Sequence, residues 1–319
     1  MRAVRYHETG GPEVLRVDED VPTPEPGPRE VLIDVEAASV NPVDTYFREG
    51  DYEPPGLPMI PGSDVAGTVA AVGTDVARWA VGDRVFGTGL GSGGPGSYAE
   101  YALADEGVLA RLPDGVSFAE GAAVALVGVT AWRALVDHAG LEPAETCLIH
   151  GGSGGVGHVS VQLAAATGAT VVATARESYH DKVRALGADV VLDYGRSDLG
   201  AAVVDAGEPA AILDHRLDDY LGFDADVAAV GARIVGIGNT EAAATLPDVP
   251  AARGKELTLT LMSMYNTPDL GAVLERIARL LAGGRLVPDV ARTYGLEEAP
   301  AAQRAVLEES FLGKLVIEP

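Results

Sequence analysis

The chain is expected to be an α/β protein, in which a doubly wound parallel sheet is joined to a second, β-rich unit. Three observations lead there. Its 319 residues exceed one domain of ordinary size, for which ~150 residues is the working value. Residues 1 to 122 are broken every few positions by Gly or Pro, and most of the 20 prolines fall in this stretch, as short strands and tight turns require. From residue 123 onward apolar strands alternate with longer helical runs, the pattern of βαβ crossovers in a parallel sheet.

In the first stretch the expected strands are Val31–Val35, Val65–Val72, Asp83–Phe86 and Ser97–Ala102. Ala119–Ala139 is helical in composition. Thr146–His150 then predicts a strand, Gly155–Thr167 a helix and Thr170–Thr174 the next strand. The alternation continues through Asp181–Leu186, Asp189–Asp193, Ala210–Asp214, a helical Asp224–Val230 and the strand Arg233–Ile237. Leu257–Leu261 predicts a strand, Pro268–Leu281 a helix and Lys314–Ile317 a closing strand. The C-terminal residues again resemble the opening stretch. The β-rich unit is therefore assigned to 1–122 and 264–319, and the parallel sheet to 123–263.

Lys plus Arg is 23 and Asp plus Glu is 47, a net charge of -24, while 47% of residues are apolar. That apolar share excludes a disordered acidic chain, which cannot bury enough surface to offset its ordering entropy. The charge argues against nucleic acid or an anionic membrane surface as partners, since both select clusters of Lys and Arg. Only Lys182, Lys255 and Lys314 are lysines. A negative coat with so few ammonium groups is the pattern expected of a halophilic protein, because concentrated salt screens self-repulsion within a few ångströms. The single cysteine, Cys147, excludes an internal disulfide and a four-thiolate zinc site. The N-terminus carries no apolar leader and no stretch approaches ~18 apolar residues. A soluble, cytoplasmic protein is expected.

Cys147 to Leu163 comprises a strand, a glycine-rich turn and a helix start, within which Gly152, Gly154 and Gly157 satisfy G-x-G-x-x-G. With a strand before it, a helix after it and a second strand beyond, the motif points to a Rossmann dinucleotide site. The glycines allow positive φ, close approach of backbone to pyrophosphate and tight packing of helix on strand. The helix N-terminus, with Ser153, Gly155 and Val156, offers N–H groups to phosphate. At the end of the second strand an acidic side chain would select NADH, but this chain reads Thr174-Ala175-Arg176, with Lys182 further on. A guanidinium there suits a 2′-phosphate, so NADPH is the expected cofactor. Glu177 beside Arg176 opposes that reading, and both cations also fit an ordinary solvated surface.

Several stretches resemble the medium-chain dehydrogenase/reductase superfamily. They are Asn41-Pro42-Val43-Asp44 with Arg48, Pro61 to Val69, Val81 to Val85, Val129 to Trp132, the glycine turn, Ala185 to Asp189, and Gly313-Lys314-Leu315-Val316. The chain is closest to the zinc-independent quinone oxidoreductase branch. The resemblance implies a GroES-like catalytic domain built from both chain ends around a Rossmann dinucleotide-binding domain. In the zinc branch the stretch matching Pro61 to Gly67 carries Gly-His-Glu, and a ligand cysteine stands near Asn41; here the residues are Gly62-Ser63-Asp64 and Asn41. No metal ligand is therefore assigned. Without a Lewis acid, reduction of a conjugated acceptor is the reaction left, because the incoming charge spreads to oxygen.

The resemblance places Asn41 beside the nicotinamide and acceptor, with Asp44, Tyr46, Arg48 and Tyr52 near the cleft; Tyr46 or Tyr52 is a candidate donor to the reduced oxygen, and each equally fits an interfacial aromatic with its hydroxyl in solvent. It implies cofactor contacts at Thr130, otherwise an ordinary helix residue, and at Tyr194 and Lys314, while Gly238 and Asn239 are expected to contact the nicotinamide because they end the strand Arg233–Ile237, where open α/β sheets place ligands. Asp44 and Arg48, at i and i+4, are expected to form an ion pair on one helix face. His150 and His158 are expected to be structural, and His215 is a further candidate for substrate contact. Glu256 to Tyr265 alternates like an edge strand, which invites a second copy, so a homodimer is expected. The reading is hydride transfer from NADPH to a quinone. The alternatives are a 2-alkenal or enoyl double-bond reductase and a non-catalytic cofactor-binding protein.

Overall fold

The computed structural model describes residues 1–319, which divide into two compact units: a split unit, 1–126 with 268–319, and a central unit, 127–267. The central unit holds six parallel strands, in chain order Thr146–Ile149, Thr170–Thr174, Val190–Leu192, Ala211–Asp214, Arg233–Gly236 and Thr258–Leu261. Across the sheet they run third, second, first, fourth, fifth, sixth. The chain thus reverses direction between its first and fourth strands, and open α/β sheets bind ligands at the carboxyl ends flanking that switch.

The strands form because β-branched and Leu residues alternate between faces. Leu148, Val172, Ile212 and Ile234 pack with Leu199, Val203, Leu217 and Leu221 from the covering helices. Each such side chain stabilises the sheet by roughly 1.5–3 kcal/mol relative to an exposed position. The register pairs Ile149 with both Ala173 and Leu213. His150, Thr174 and Asp214 therefore leave the sheet at one level.

In the split unit, a seven-stranded sheet is organised around Glu30–Val40. Val65–Val72 and Tyr101–Asp105 pair with that strand, and the C-terminal Lys314–Ile317 lies antiparallel to its second half, Leu315 opposite Val40. The chain's last strand is thereby built into the sheet of its first residues. It also brings Lys314 to the end of the strand that leads into Asn41.

Several elements differ from expectation. The helix expected at Asp224–Val230 runs Leu217–Val227, with Asp218 and Asp219 in its first turn, where carboxylates favour the positive end of the dipole. A helix at Leu199–Ala206 was not anticipated. The strand expected at Ser97–Ala102 is shifted to Tyr101–Asp105, because Ser97 and Tyr98 bond to the Gly62 and Pro61 carbonyls instead. The Pro268–Leu281 helix begins at Leu270, where the Asp269 carboxylate caps Ala272 N–H. Finally, Phe118–His138 is long and apolar enough to cross a membrane, contrary to the expectation from apolar runs, but 72% of the apolar window is buried inside the protein.

Candidate active site

The glycine elbow joins the first strand to the helix Gly155–Thr167. The positive φ falls at Gly151, at 67°, one residue ahead of the motif glycines to which it was assigned. Gly154, the N-cap, is extended and has no side chain to cap the helix, so the first-turn N–H groups are left for an external acceptor. Gly157 is required for close approach, since a Cβ there would lie 2.0 Å from Gly151 O. Gly152 packs against the second strand, a Cβ there meeting that of Ala173 at 2.9 Å. Gly151 N–H and Gly152 N–H both point inward, to Thr174 Oγ1 at 3.1 Å and Thr174 O at 2.7 Å. The Thr174 hydroxyl, predicted to contact cofactor, is thus engaged beneath the elbow.

At the second strand's tip Arg176 is exposed and forms no ion pair, and Lys182 is likewise exposed and unpaired. The nearby Asp193 carboxylate is occupied by Glu177 N–H and Gly195 N–H. Tyr194 is 43% exposed. Gly238 follows the fifth strand, and a Cβ on it would lie 2.7 Å from His215 O. Asn239 is exposed, its amide donating to Glu241 O. Thr130 is buried in its helix. His215 follows the fourth strand, its ring set against Gly151. Partial desolvation, then His150 and Arg216, hold that imidazole toward its neutral form.

In the split unit Asn41 is buried and caps the helix Pro42–Glu49. Its Oδ1 accepts from Lys314 Nζ at 2.5 Å, and its Nδ2 donates to Asp64 Oδ2 at 2.8 Å. Lys314 also donates to Val40 O at 2.7 Å, while Asp64 accepts from Ser39 Oγ and Leu126 N. Asp44 accepts from Asn41 N, Ser63 Oγ and Tyr98 Oη. Burial pushes Asp44 up to about 6, against the pull of its bonds from Asn41 and Ser63. It also raises Asp64 and lowers Lys314. Lys314, expected to reach cofactor, is 3% exposed and committed to this network.

The i,i+4 ion pair between Asp44 and Arg48 does not form. Arg48 is fully buried and turns to Gln303, Gly10 O and Glu49. Tyr46 and Tyr52 meet edge to face at 5.7 Å, and neither hydroxyl bonds within the chain. Sequence reasoning missed Ser39 and Tyr98. It noted Asp64 only as a replacement for a metal ligand; its position in the Pro61–Thr68 motif was the available signal.

Residues 27–114 match the family model of the alcohol dehydrogenase GroES-like domain, and residues 186–317 that of zinc-binding dehydrogenases. Human quinone oxidoreductase is 36% identical, over 99% of this chain and 97% of its own length. The chain belongs to the quinone oxidoreductase family of medium-chain dehydrogenase/reductases. Among solved structures it is similar to Escherichia coli quinone oxidoreductase complexed with NADPH, with a TM-score of 0.90 and 28% identity, covering all of both chains. It is also similar to an NAD-dependent alcohol dehydrogenase, with a TM-score of 0.92 and 32% identity over the full length of both.

Within this family of oxidoreductases the chain's own residues define what the site holds. The elbow fits a dinucleotide, since its glycines leave room where a Cβ would stand and its helix start is uncapped. No group of three or more His, Cys, Asp and Glu side chains is placed to hold a metal, and the Lys314 ammonium stands among the donors at Asn41 and Asp64.

Proposed function

We propose that the protein transfers hydride from NADPH to a quinone without a metal ion. The observation that carries this is the coexistence of a dinucleotide elbow with the Asn41–Asp64–Lys314 network, in which the ligand positions of the zinc branch are hydrogen-bonded to one another. A polarising metal has no seat there, so the acceptor must be electrophilic already. Quinones meet that requirement because the incoming charge spreads to oxygen and needs only orientation and a hydrogen bond.

The relatives' names favour a quinone and differ over the coenzyme. The strand tip favours NADPH, because exposed, unpaired Arg176 and Lys182 stand where an acidic residue would select NADH. When bound, NADPH supplies the hydride. The elbow N–H groups hold its pyrophosphate, and the backbone at Gly238 and Asn239, Thr130 and Tyr194 line its remaining length. Asn41, with both ends of its amide engaged, acts as a rigid wall rather than a free donor. The unengaged hydroxyls of Tyr46 and Tyr52 are the groups left to donate to the reduced oxygen.

A soluble, cytoplasmic homodimer is the form inferred. Leu259 and Leu261 on the edge strand are 46% and 71% exposed, and an open edge with apolar side chains favours pairing with a second copy. Consumption of NADPH at 340 nm with p-quinones, 2-alkenals and enoyl thioesters tests the reading. Turnover of quinones supports it, and turnover of enals or thioesters alone makes the enzyme a double-bond reductase. Tight NADPH binding without turnover of any acceptor leaves a non-catalytic binding protein.

A further inference from the structure

Beneath the elbow lies a polar chain that no step of hydride transfer uses. His150, 2% exposed, follows the first strand, and its Nε2 lies 2.8 Å from Asp224 Oδ1 of the helix Leu217–Val227. Its Nδ1 lies 3.5 Å from Thr174 Oγ1, the atom that accepts from Gly151 N–H. Asp214, at the tip of the fourth strand, lies near enough for the Asp224 charge to act on its carboxyl, and its Oδ1 takes the Arg216 N–H at 2.7 Å. Both aspartates are fully buried, and neither Oδ2 has a hydrogen-bond partner. Two neighbouring buried carboxyls resist carrying two charges at once, so burial and the Asp224 charge favour a proton on Asp214. Residues on the first, second and fourth strand tips and on one helix are thereby tied to the first residue of the elbow.

We infer that His150, Asp224 and Asp214 are positioning residues that act through Thr174 to hold the glycine elbow in its coenzyme-binding shape. The inference rests on the reading of that elbow as a dinucleotide site. The hydrogen-bond order is self-consistent: His150 Nε2–H donates to Asp224, the Thr174 hydroxyl donates to His150 Nδ1, and Gly151 N–H donates to Thr174. Tyr220 stacks on the His150 ring at 4.3 Å and Phe223 meets its edge, which fixes the plane in which the ring can bond. The other charged or titratable groups around the chain are accounted for. Arg216 pairs with Asp219, His215 is held neutral, and Tyr194 stands beside Tyr220. Burial and the Asp224 charge both hold the Asp214 proton well above the usual carboxylate range. Loss of the Asp214 proton sets a second buried charge against Asp224 and disturbs the His150 bond, so coenzyme affinity is expected to fall as pH rises through neutrality.

The test is NADPH binding to the full chain, followed by coenzyme fluorescence between pH 6.5 and 8.5 and by steady-state kinetics. Thr174→Val is expected to raise the NADPH Kd about tenfold, and KM for NADPH rather than for quinone, because it strands the Gly151 donor. Thr174→Ser, which keeps the acceptor, is expected to restore wild-type binding. Wild-type affinity is expected to fall about fivefold across that pH range, and Asp224→Asn, which removes the charge that opposes ionisation of Asp214, to remove that fall. Wild-type affinity in Thr174→Val, or an unchanged pH profile in Asp224→Asn, overturns the inference while leaving the coenzyme reading intact. A wild-type protein that binds neither NADPH nor NADH overturns both. Should Asp224→Asn fail to fold, the Val and Ser pair at Thr174 decides alone.

Discussion

Lys314 Nζ donates to Asn41 Oδ1 at 2.5 Å across 273 residues of sequence, and so fixes which way the Asn41 amide faces. With the oxygen toward the ammonium, the nitrogen must face Asp64. Removing the cation by Lys314→Met leaves Asp64 buried beside an unpaired carbonyl. The expected cost is about 3–5 kcal/mol of stability, read as a lower denaturation midpoint. Combining it with Asp64→Asn should recover part of the loss, and no recovery would show that the two groups are not coupled.

The raised Asp44 sets a pH dependence. Its carboxyl titrates at about 6 in the fold, against about 3.9 in the unfolded chain. The fold therefore binds the proton more tightly than the unfolded chain, and the stability this adds is lost as pH rises from about 4 through 6. The change attributable to this one group is about 3 kcal/mol. Urea titrations of wild type and Asp44→Asn across that window check it. The wild type should weaken relative to the variant as pH rises, and parallel curves would disprove the assignment.

Arg176→Ala is expected to weaken NADPH binding on the order of tenfold while leaving NADH nearly untouched, because only NADPH carries the 2′-phosphate. Titration with both coenzymes distinguishes the outcomes. Equal weakening of the two would refute the role given to Arg176.

Gly157→Ala places a methyl 2.0 Å from Gly151 O and 2.7 Å from its carbonyl carbon. Both are backbone atoms with no rotamer to yield. A loss of about 1–3 kcal/mol is expected, together with loss of coenzyme binding. Calorimetric titration with NADPH measures the second effect directly.

The net charge of -24 predicts that the fold weakens in dilute buffer and recovers near 1 M salt, where the screening length falls to about 3 Å. Circular dichroism across a salt series follows the transition. Full stability at low ionic strength would remove the halophilic reading.

The sequence by itself determined the strands of the central unit and its first crossover, down to the helix Gly155–Thr167 and the strand Thr170–Thr174, because periodicity, turn glycines and β-branching are local signals. It also singled out the glycines of the elbow, and Asn41 and Asp64, which meet in the buried network. Only the tertiary structure decided which polar groups meet. Asp44 and Arg48 sit one helical turn apart yet choose different partners, and Lys314 turns inward to Asn41. His150 finds Asp224 across 74 residues. A buried donor or acceptor must be paired wherever the fold supplies a partner, and that supply depends on sheet register and helix placement, which sequence spacing does not encode.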